Sequence, residues 1–478
     1  MPVKLRRWPA SVGILAASLA VLACGKGGKD EKPVAPEQVQ VLLRDGDVLP
    51  GGFEITTIES AKLATDRSVA FIASQAGEDA PNGVFVRAPG GSTRPVLTPH
   101  VGDTGGLPLT VVRNLVMAPG GEFGFEVGDQ IDADGFFAFD GRTLHTLAHT
   151  RDGGHPENFR VLGEARMSSG GAVVFTAGQS PCEVDSSTGT ERISCDLGLH
   201  GGLPGDLRPI DVPNTLAAQR PTAVTVQANG SGLFAVGLPA RGSEPLVGLV
   251  WGGAFTGVLS RQQDLPGLGV LLSAKPRAVS ESGGVAIDGT FDLDGDGARD
   301  LSRALLLQAD GRLSAIAEST GSFDGQPIQD VRARDIDDSN RVLYSFGFGE
   351  SEPRMAIRVW AAGQTSEVAH EGRPFGEDDA GKPIRILEID QMRMTRAGDV
   401  LFVALLGAVE EGTRRISQTA LIRWRAGRLE KVLRTRSTIE GSSLVGLSIA
   451  DVNSVGDILL IGEIERRANR ALLLLPAG

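Results

Sequence analysis

The stretch GDILL at residues 456–460 decides how the rest of the chain is read: a turn-forming residue, then apolar side chains at every second position. The same form recurs as RSVAF from Arg67, GEFGF from Gly121, GAVVF from Gly171 and GLFAV from Gly232. It continues as GGVAI from Gly283, NRVLY from Asn340 and GDVLF from Gly398. Successive copies start 54, 50, 61, 51, 57, 58 and 58 residues apart, a spread that loop insertions explain. Each copy has companions: before it an alternating segment such as ILEIDQMRM or VGLSIADV, after it an apolar run that turns at glycine into another alternating segment, as in ALLLQADGRLSAIAE and ALIRWRAGRLEKVL. Four period-two segments per unit, joined by glycine turns, form the pattern of a β-propeller blade, and eight units make a ring.

The chain ends bear on how the ring closes. The eighth copy stops after ALLLLPAG, three strands into its blade. Near the start, VQVLLRDGDVLPGG (residues 39–52) matches the segment after the glycine turn in other copies, such as RLEKVLRTRSTIEGS. Joining Gly456–Gly478 to Glu37–Arg67 puts the next copy 53 residues on, inside the range of the other steps. The expectation is an all-β chain: a single eight-bladed propeller over residues 37–478, closed by an N-terminal strand that completes the last blade. Such closure leaves no free sheet edge. Trp251, Trp360 and Trp424 occupy the same place in their units, just before or at the third-to-fourth turn, and are expected to be buried structural aromatics.

Copies with NxxG, at Asn229–Gly232 and Asn453–Gly456, and the SVAF at residues 68–71 resemble the tandem NxxGxxAF repeats of bacterial surface proteins with varied membrane anchors. That resemblance covers nearly all of the mature chain. It implies a propeller-like fold and surface anchoring, and it implies no activity.

MPVKLRRWPASVGILAASLAVLAC opens the chain with a basic start and an apolar run, Val12 to Leu22, too short for an ordinary membrane span. Residues 1–23 read as a secretion signal. The ending Val21-Leu22-Ala23-Cys24 resembles the lipobox of bacterial lipoproteins, which implies cleavage before Cys24 and lipidation of that cysteine. Residues 24–36 continue as a polar, Pro/Gly-rich tether. The expected location is the bacterial cell envelope, lipid-anchored, at the outer membrane, with the membrane itself as one partner.

With Cys24 lipidated, Cys182 and Cys195 remain as a pair in CEVDSSTGTERISC. Export to an oxidising compartment favours a disulfide, and closing this 14-residue loop is worth about 3 kcal/mol in the chain-entropy account. Net charge is −12, becoming −15 without residues 1–23, so nucleic acid is excluded as an expected partner.

The most chemically specific string is FDLDGDGARD, residues 291–300. It fits the spacing by which calcium loops surround a hard cation with oxygens: Asp292, Asp294 and Asp296 at positions one, three and five, Gly297 for the bend, the carbonyl of Ala298 at seven and Asp300 at nine. Arg303 stands where the position-twelve glutamate of a helix-loop-helix site would be. The loop resembles those of integrin-type propellers, which implies that the glutamate is dispensable. The plain alternative is an acidic surface loop. The second copy carries a fragment of such a loop in DQIDADG, with Asp129, Asp132 and Asp134.

Other motifs fall short. GEDDAGKP (376–383) begins like a P-loop, but Pro383 replaces the Ser/Thr that holds magnesium and acids face the phosphate position, so nucleotide is not expected. GESEP around Ser351 lacks the last glycine of a nucleophile elbow. His145 and His149 could share a strand face without a third ligand, and are expected to face solvent. The leading expectation is a non-catalytic envelope lipoprotein that binds a protein or glycan partner and carries a structural calcium loop. The alternative is an exported hydrolase or lyase with its site at the propeller axis, which would need carboxylates or histidines converging there.

Overall fold

A computed structural model describes residues 38–477 except 77–81, 103, 105–106, 108, 110, 129–132, 151–160, 179–182, 186–191, 213–215, 219–223, 240–243, 351–352, 411–412 and 465–468. The signal, Cys24 and its tether, Cys182, Asp129, Asp132 and Ser351 lie outside the described residues.

Eight antiparallel sheets follow one another along the chain, each carrying one copy of the repeat. Their inner strands are Thr57–Leu63, Val111–Met117, Val161–Met167, Thr225–Ala228, Gly269–Val279, Gln326–Ile336, Pro383–Met394 and Ser442–Val452. Each inner strand neighbours the inner strand of the next blade, and the last neighbours the first. The protein is thus a closed eight-bladed β-propeller, as the repeat predicts. In blades five to eight the long inner strand also pairs with a short strand ahead of it, giving five strands where the sequence pattern shows four.

The repeat's first residue has a clear physical role. In all eight copies it adopts a left-handed backbone: Arg67, Gly121, Gly171, Gly232, Gly283, Asn340, Gly398 and Gly456 have φ between 58° and 99°. It sits in the turn from first to second strand. In seven copies its N–H reaches the carbonyl three residues back, as from Gly456 to Asn453 at 3.1 Å. Glycine suits this position because it has no Cβ to clash at positive φ. Arg67 and Asn340 tolerate it.

A blade has no core of its own. The buried apolar side chains fall into eight clusters, and each draws on two adjacent blades. Phe71 and Ile58 of blade one, for example, pack with Leu459, Leu472 and Leu474 of blade eight. Period-two alternation gives every strand two apolar-capable faces, and the sheets stack face to face around the ring.

Closure follows the expected route. Gln40–Arg44 pairs antiparallel with Asn469–Leu475, Gln40 opposite Leu474 and Arg44 opposite Ala471, so the N-terminal strand is the outer strand of blade eight. Val39 and Leu43 are buried there. Across the seam to blade one, Arg67 donates Nε and Nη2 to Asp457 at 2.8 and 3.0 Å, and Asn453 Nδ2 donates to the Ala64 carbonyl at 3.1 Å.

One expectation for the tryptophans is corrected. Trp424 is buried and Trp360 half-buried, each opposite the first residue of its second strand, Val400 and Val342. Trp251 is 45% exposed. In its blade Val250 takes the position opposite Phe234, and Trp251 comes one residue later. A shift of one residue in a strand turns the side chain to the other face.

Candidate functional site: an acidic rim loop and an axial belt

Inner strands all run the same way, so every connection from second to third strand leaves from one rim. Asp292–Asp300 is that connection in blade five, between Val285–Asp292 and Leu301–Leu307. In blade three it carries a small hairpin in which Glu183–Asp185 pairs with Arg192–Ser194; Cys195 comes next, opposite Ala218. In blade seven the strands Val400–Glu410 and Thr413–Arg425 overrun the usual length, with Val409 and Ile416 exposed near the tip.

The aspartate loop is built by its own backbone. Asp292, 3% exposed, accepts N–H groups of Gly295 at 2.6 Å and Gly297 at 2.8 Å, and both glycines have positive φ. These donors hold the Asp292 carboxyl below the usual carboxylate range. Asp300 accepts the N–H of Leu293, folding the loop's end back onto its beginning. Oxygens of Asp292, Asp294 and Asp300 thereby lie within 4.8 Å of one another. Asp296 is not brought into this group, and its carboxylate accepts the Ala298 N–H at 2.6 Å. Arg299 turns to Asp330 at 3.0 Å, and Arg303 lies buried on the next strand against Glu318 at 2.9 Å. So close together, the three carboxylates repel one another when no cation lies between them. Three hard oxygen donors so placed fit a divalent cation such as calcium.

A second set of charges lies at the axial ends of the seams. Glu126 and Asp288 stand at the same repeat position, five residues after the left-handed turn residue, where the other copies have the uncharged Ile72, Thr176, Gly237, Ser345, Val403 and Ile461. Glu126 accepts from Arg113 Nε at 3.0 Å and Asn114 Nδ2 at 2.6 Å. Asp288 accepts from Arg277 Nε at 2.5 Å and from the Ala333 N–H of the next blade at 2.6 Å. Burial pushes both carboxyls above their ordinary range, against the lowering effect of those donors. Further ties join neighbouring inner strands: Glu164 accepts from Val226 N, Asp335 from Met394 N, Gln391 from Ile449 N and Asp451 from Leu63 N, at 2.7 to 3.0 Å. The side chains come from positions at or beside the bulges of their inner strands. Linear spacing did not single these residues out; for Glu126 and Asp288 a charge at a repeat position uncharged in the other copies was the available signal.

The remaining motifs resolve simply. Residues 376–383 form a hairpin, Asp378 N donating to Lys382 O at 2.9 Å and Gly381 N to Asp378 O at 3.0 Å, with a strand rather than a helix after it. His145 Nε2 pairs with Asp140 at 2.8 Å in blade two's last hairpin and helps hold that carboxyl at about 2. His149 ends the same strand, opposite Gly135.

No family model and no curated protein matches this chain. Among solved structures it is similar to the β-propeller domain of the Trilobed protease from Pyrococcus furiosus, at 10% identity and a TM-score of 0.39, covering 79% of this chain and 97% of that one. It is also similar to an acylaminoacyl peptidase from Pyrococcus horikoshii, at 11% identity and a TM-score of 0.38, covering 85% of this chain and 57% of that one. A polysaccharide lyase, Uly1, matches at 9% identity and a TM-score of 0.31, with 90% of each chain covered. The number of blades rests on this chain's own strand order.

Proposed function

We propose that the protein is an envelope-anchored lipoprotein whose propeller is a non-catalytic binding scaffold, with calcium ordering one of its rim loops. One observation carries this reading. The departures from the blade repeat gather on a single rim, whereas the buried carboxylates towards the axis are committed as ties within and between blades. A surface of variable loops on a rigid ring is how a scaffold presents a binding face. The anchor rests on the lipobox-like residues ending in Cys24, and the Cys182–Cys195 disulfide would staple blade three's insertion on the same rim.

The experiment is cross-linking and recovery of the lipidated protein from its own envelope, using a photoreactive group at rim residue Ile416 and, as control, at Asp310 on the opposite rim. Recovery of one protein or glycan partner through Ile416 alone is expected. Equal yields from both positions would remove the rim from the reading, and release of the protein from membranes irrespective of Cys24→Ala would remove the anchor.

Calcium makes a separate expected outcome. At the affinities of extracellular modules, about 10⁻⁴ to 10⁻³ M, 1 mM calcium stabilises by roughly 0.4 to 1.4 kcal/mol through mass action. The melting temperature should rise with calcium in the wild type and stay level in Asp294→Ala. An equal rise in both proteins would reject the site.

A further inference from the structure

At several seams the turn between first and second strand reaches across to its neighbour. Arg67 of blade one bonds Asp457 of blade eight, Arg341 of blade six bonds the Ala397 carbonyl of blade seven, and Asn229 of blade four bonds the Ser280 carbonyl of blade five at 2.8 Å. Between blades seven and eight the two turns instead border a cavity of about 110 Å³, open at the turn-bearing rim. Thr395 and Asp399 line one side, Ser454 and Val455 the other, and Arg423 and Arg425 project in from the third strand of blade seven.

Arg423 is out of place by the rules of this fold. It stands opposite the second residue of its second strand, Leu401. The same register position holds Val86, Ala138, Gly201, Leu249, Leu306, Val359 and Leu474 in the other seven blades. At this register position blade seven alone carries a charge, and the Arg423 side chain is only 16% exposed. A local rule broken at a cavity marks a functional position.

The chemistry of the cavity is balanced. Arg423 commits Nε and Nη2 to Glu430 at 2.9 and 2.7 Å, and Arg425 commits the same atoms to Asp399 at 2.7 and 2.6 Å. Each guanidinium keeps Nη1 as a donor, and the Asp399 carboxylate remains an acceptor beside them. Each guanidinium is already paired with a carboxylate, Asp399 in the lining and Glu430 outside it, which leaves an anion little net attraction. The pairs suit a neutral group that accepts and donates at adjacent positions, as neighbouring hydroxyls do. Leu401, Val455 and Ile458 supply an apolar wall for its C–H face. The volume equals that of three to four waters at roughly 30 Å³ each, enough to admit one edge of a sugar ring.

We propose that this cavity is a subsite for a neutral polyhydroxylated ligand, a single sugar residue or a polyol. It goes beyond the binding reading above, since it stands on the rim opposite the loop-bearing one, and either claim can fail alone. The test uses the full mature chain with D-glucose, D-galactose, N-acetyl-D-glucosamine and myo-inositol as probes, and sodium phosphate and acetate as controls, read by saturation-transfer NMR and calorimetry. At least one neutral probe is expected to bind saturably with Kd on the order of 1 mM. Arg423→Leu, which restores the apolar residue of the other blades, should weaken that binding at least tenfold without lowering the melting temperature. Val455→Trp, a change at a position 54% exposed, should block the mouth and weaken binding equally without disturbing the core. Failure of all four neutral probes, or binding that both variants leave intact, overturns the site. Binding of phosphate or acetate in their place overturns the ligand class.

Discussion

Removing residues 37–50 from the mature chain is expected to abolish the cooperative melt or lower its midpoint by more than 10 °C. The segment supplies the outer strand of blade eight, with Val39, Leu43 and Leu49 buried in the seam clusters on either side. Burying each such side chain is worth about 1.5 to 3 kcal/mol, and the four register pairs with Leu474, Leu473, Leu472 and Ala471 add hydrogen bonds at about 1 kcal/mol each. That sum approaches the whole stability of an ordinary domain. Thermal unfolding followed by circular dichroism checks it, and an unchanged melt would show that the ring holds without its closing strand.

The second large effect is expected at Asp457. Its side chain is fully buried and receives Arg67 through two hydrogen bonds, Asn453 Nδ2 at 3.0 Å and the Ala477 N–H at 2.7 Å. It therefore joins the first blade, its own turn and the chain's last residues. Asp457→Ala leaves the buried Ala477 and Asn453 donors without their acceptor and Arg67, 44% exposed, free to turn to water, and should cost about 1.5 to 3 kcal/mol. Acid should act in the same direction. Burial pushes the Asp457 carboxyl up, but Arg67, Ala477 and Asn453 together outweigh it and hold the group below its ordinary range. A carboxyl depressed in the folded state gives its full contribution above the unfolded value near 4 and loses it as pH falls through the folded value. The wild type should lose stability more steeply than Asp457→Asn as pH falls below about 4, in melts taken across the acid range; parallel curves would show that other groups govern acid unfolding.

The ring was legible because one local event repeats. A left-handed turn residue followed by apolar residues at every second place leaves a mark in linear spacing, and all eight residues read as repeat starts take positive φ, Arg67 and Asn340 included. Closure was legible for the same reason, since Gln40–Arg44 carries the alternation that the last blade lacks. Cross-strand register was not. Trp251 appeared equivalent to Trp360 and Trp424 until pairing placed it one residue along. Arg423 looked like an ordinary strand arginine until seven apolar counterparts stood beside it. The acidic loop was read from spacing, and its partial assembly, with Asp296 turned to Ala298, depends on backbone donors that spacing does not encode. Glu126 and Asp288 escaped because each is completed by residues of other strands.

The closing strand also sets a timetable. Gln40 is among the first residues of the folded body to be made, and its partner Leu474 is 434 positions away, among the last. At about 5 to 20 residues per second, synthesis alone keeps that strand waiting roughly 20 to 90 seconds with no mate. Throughout that interval an apolar edge, Val39 to Leu43, is available to any other strand, including the same segment of a neighbouring nascent copy. The feature that removes every free edge from the finished ring therefore leaves one exposed for as long as possible during its birth, and the window between translation and completion is where this protein is most open to exchange of its first strand between molecules.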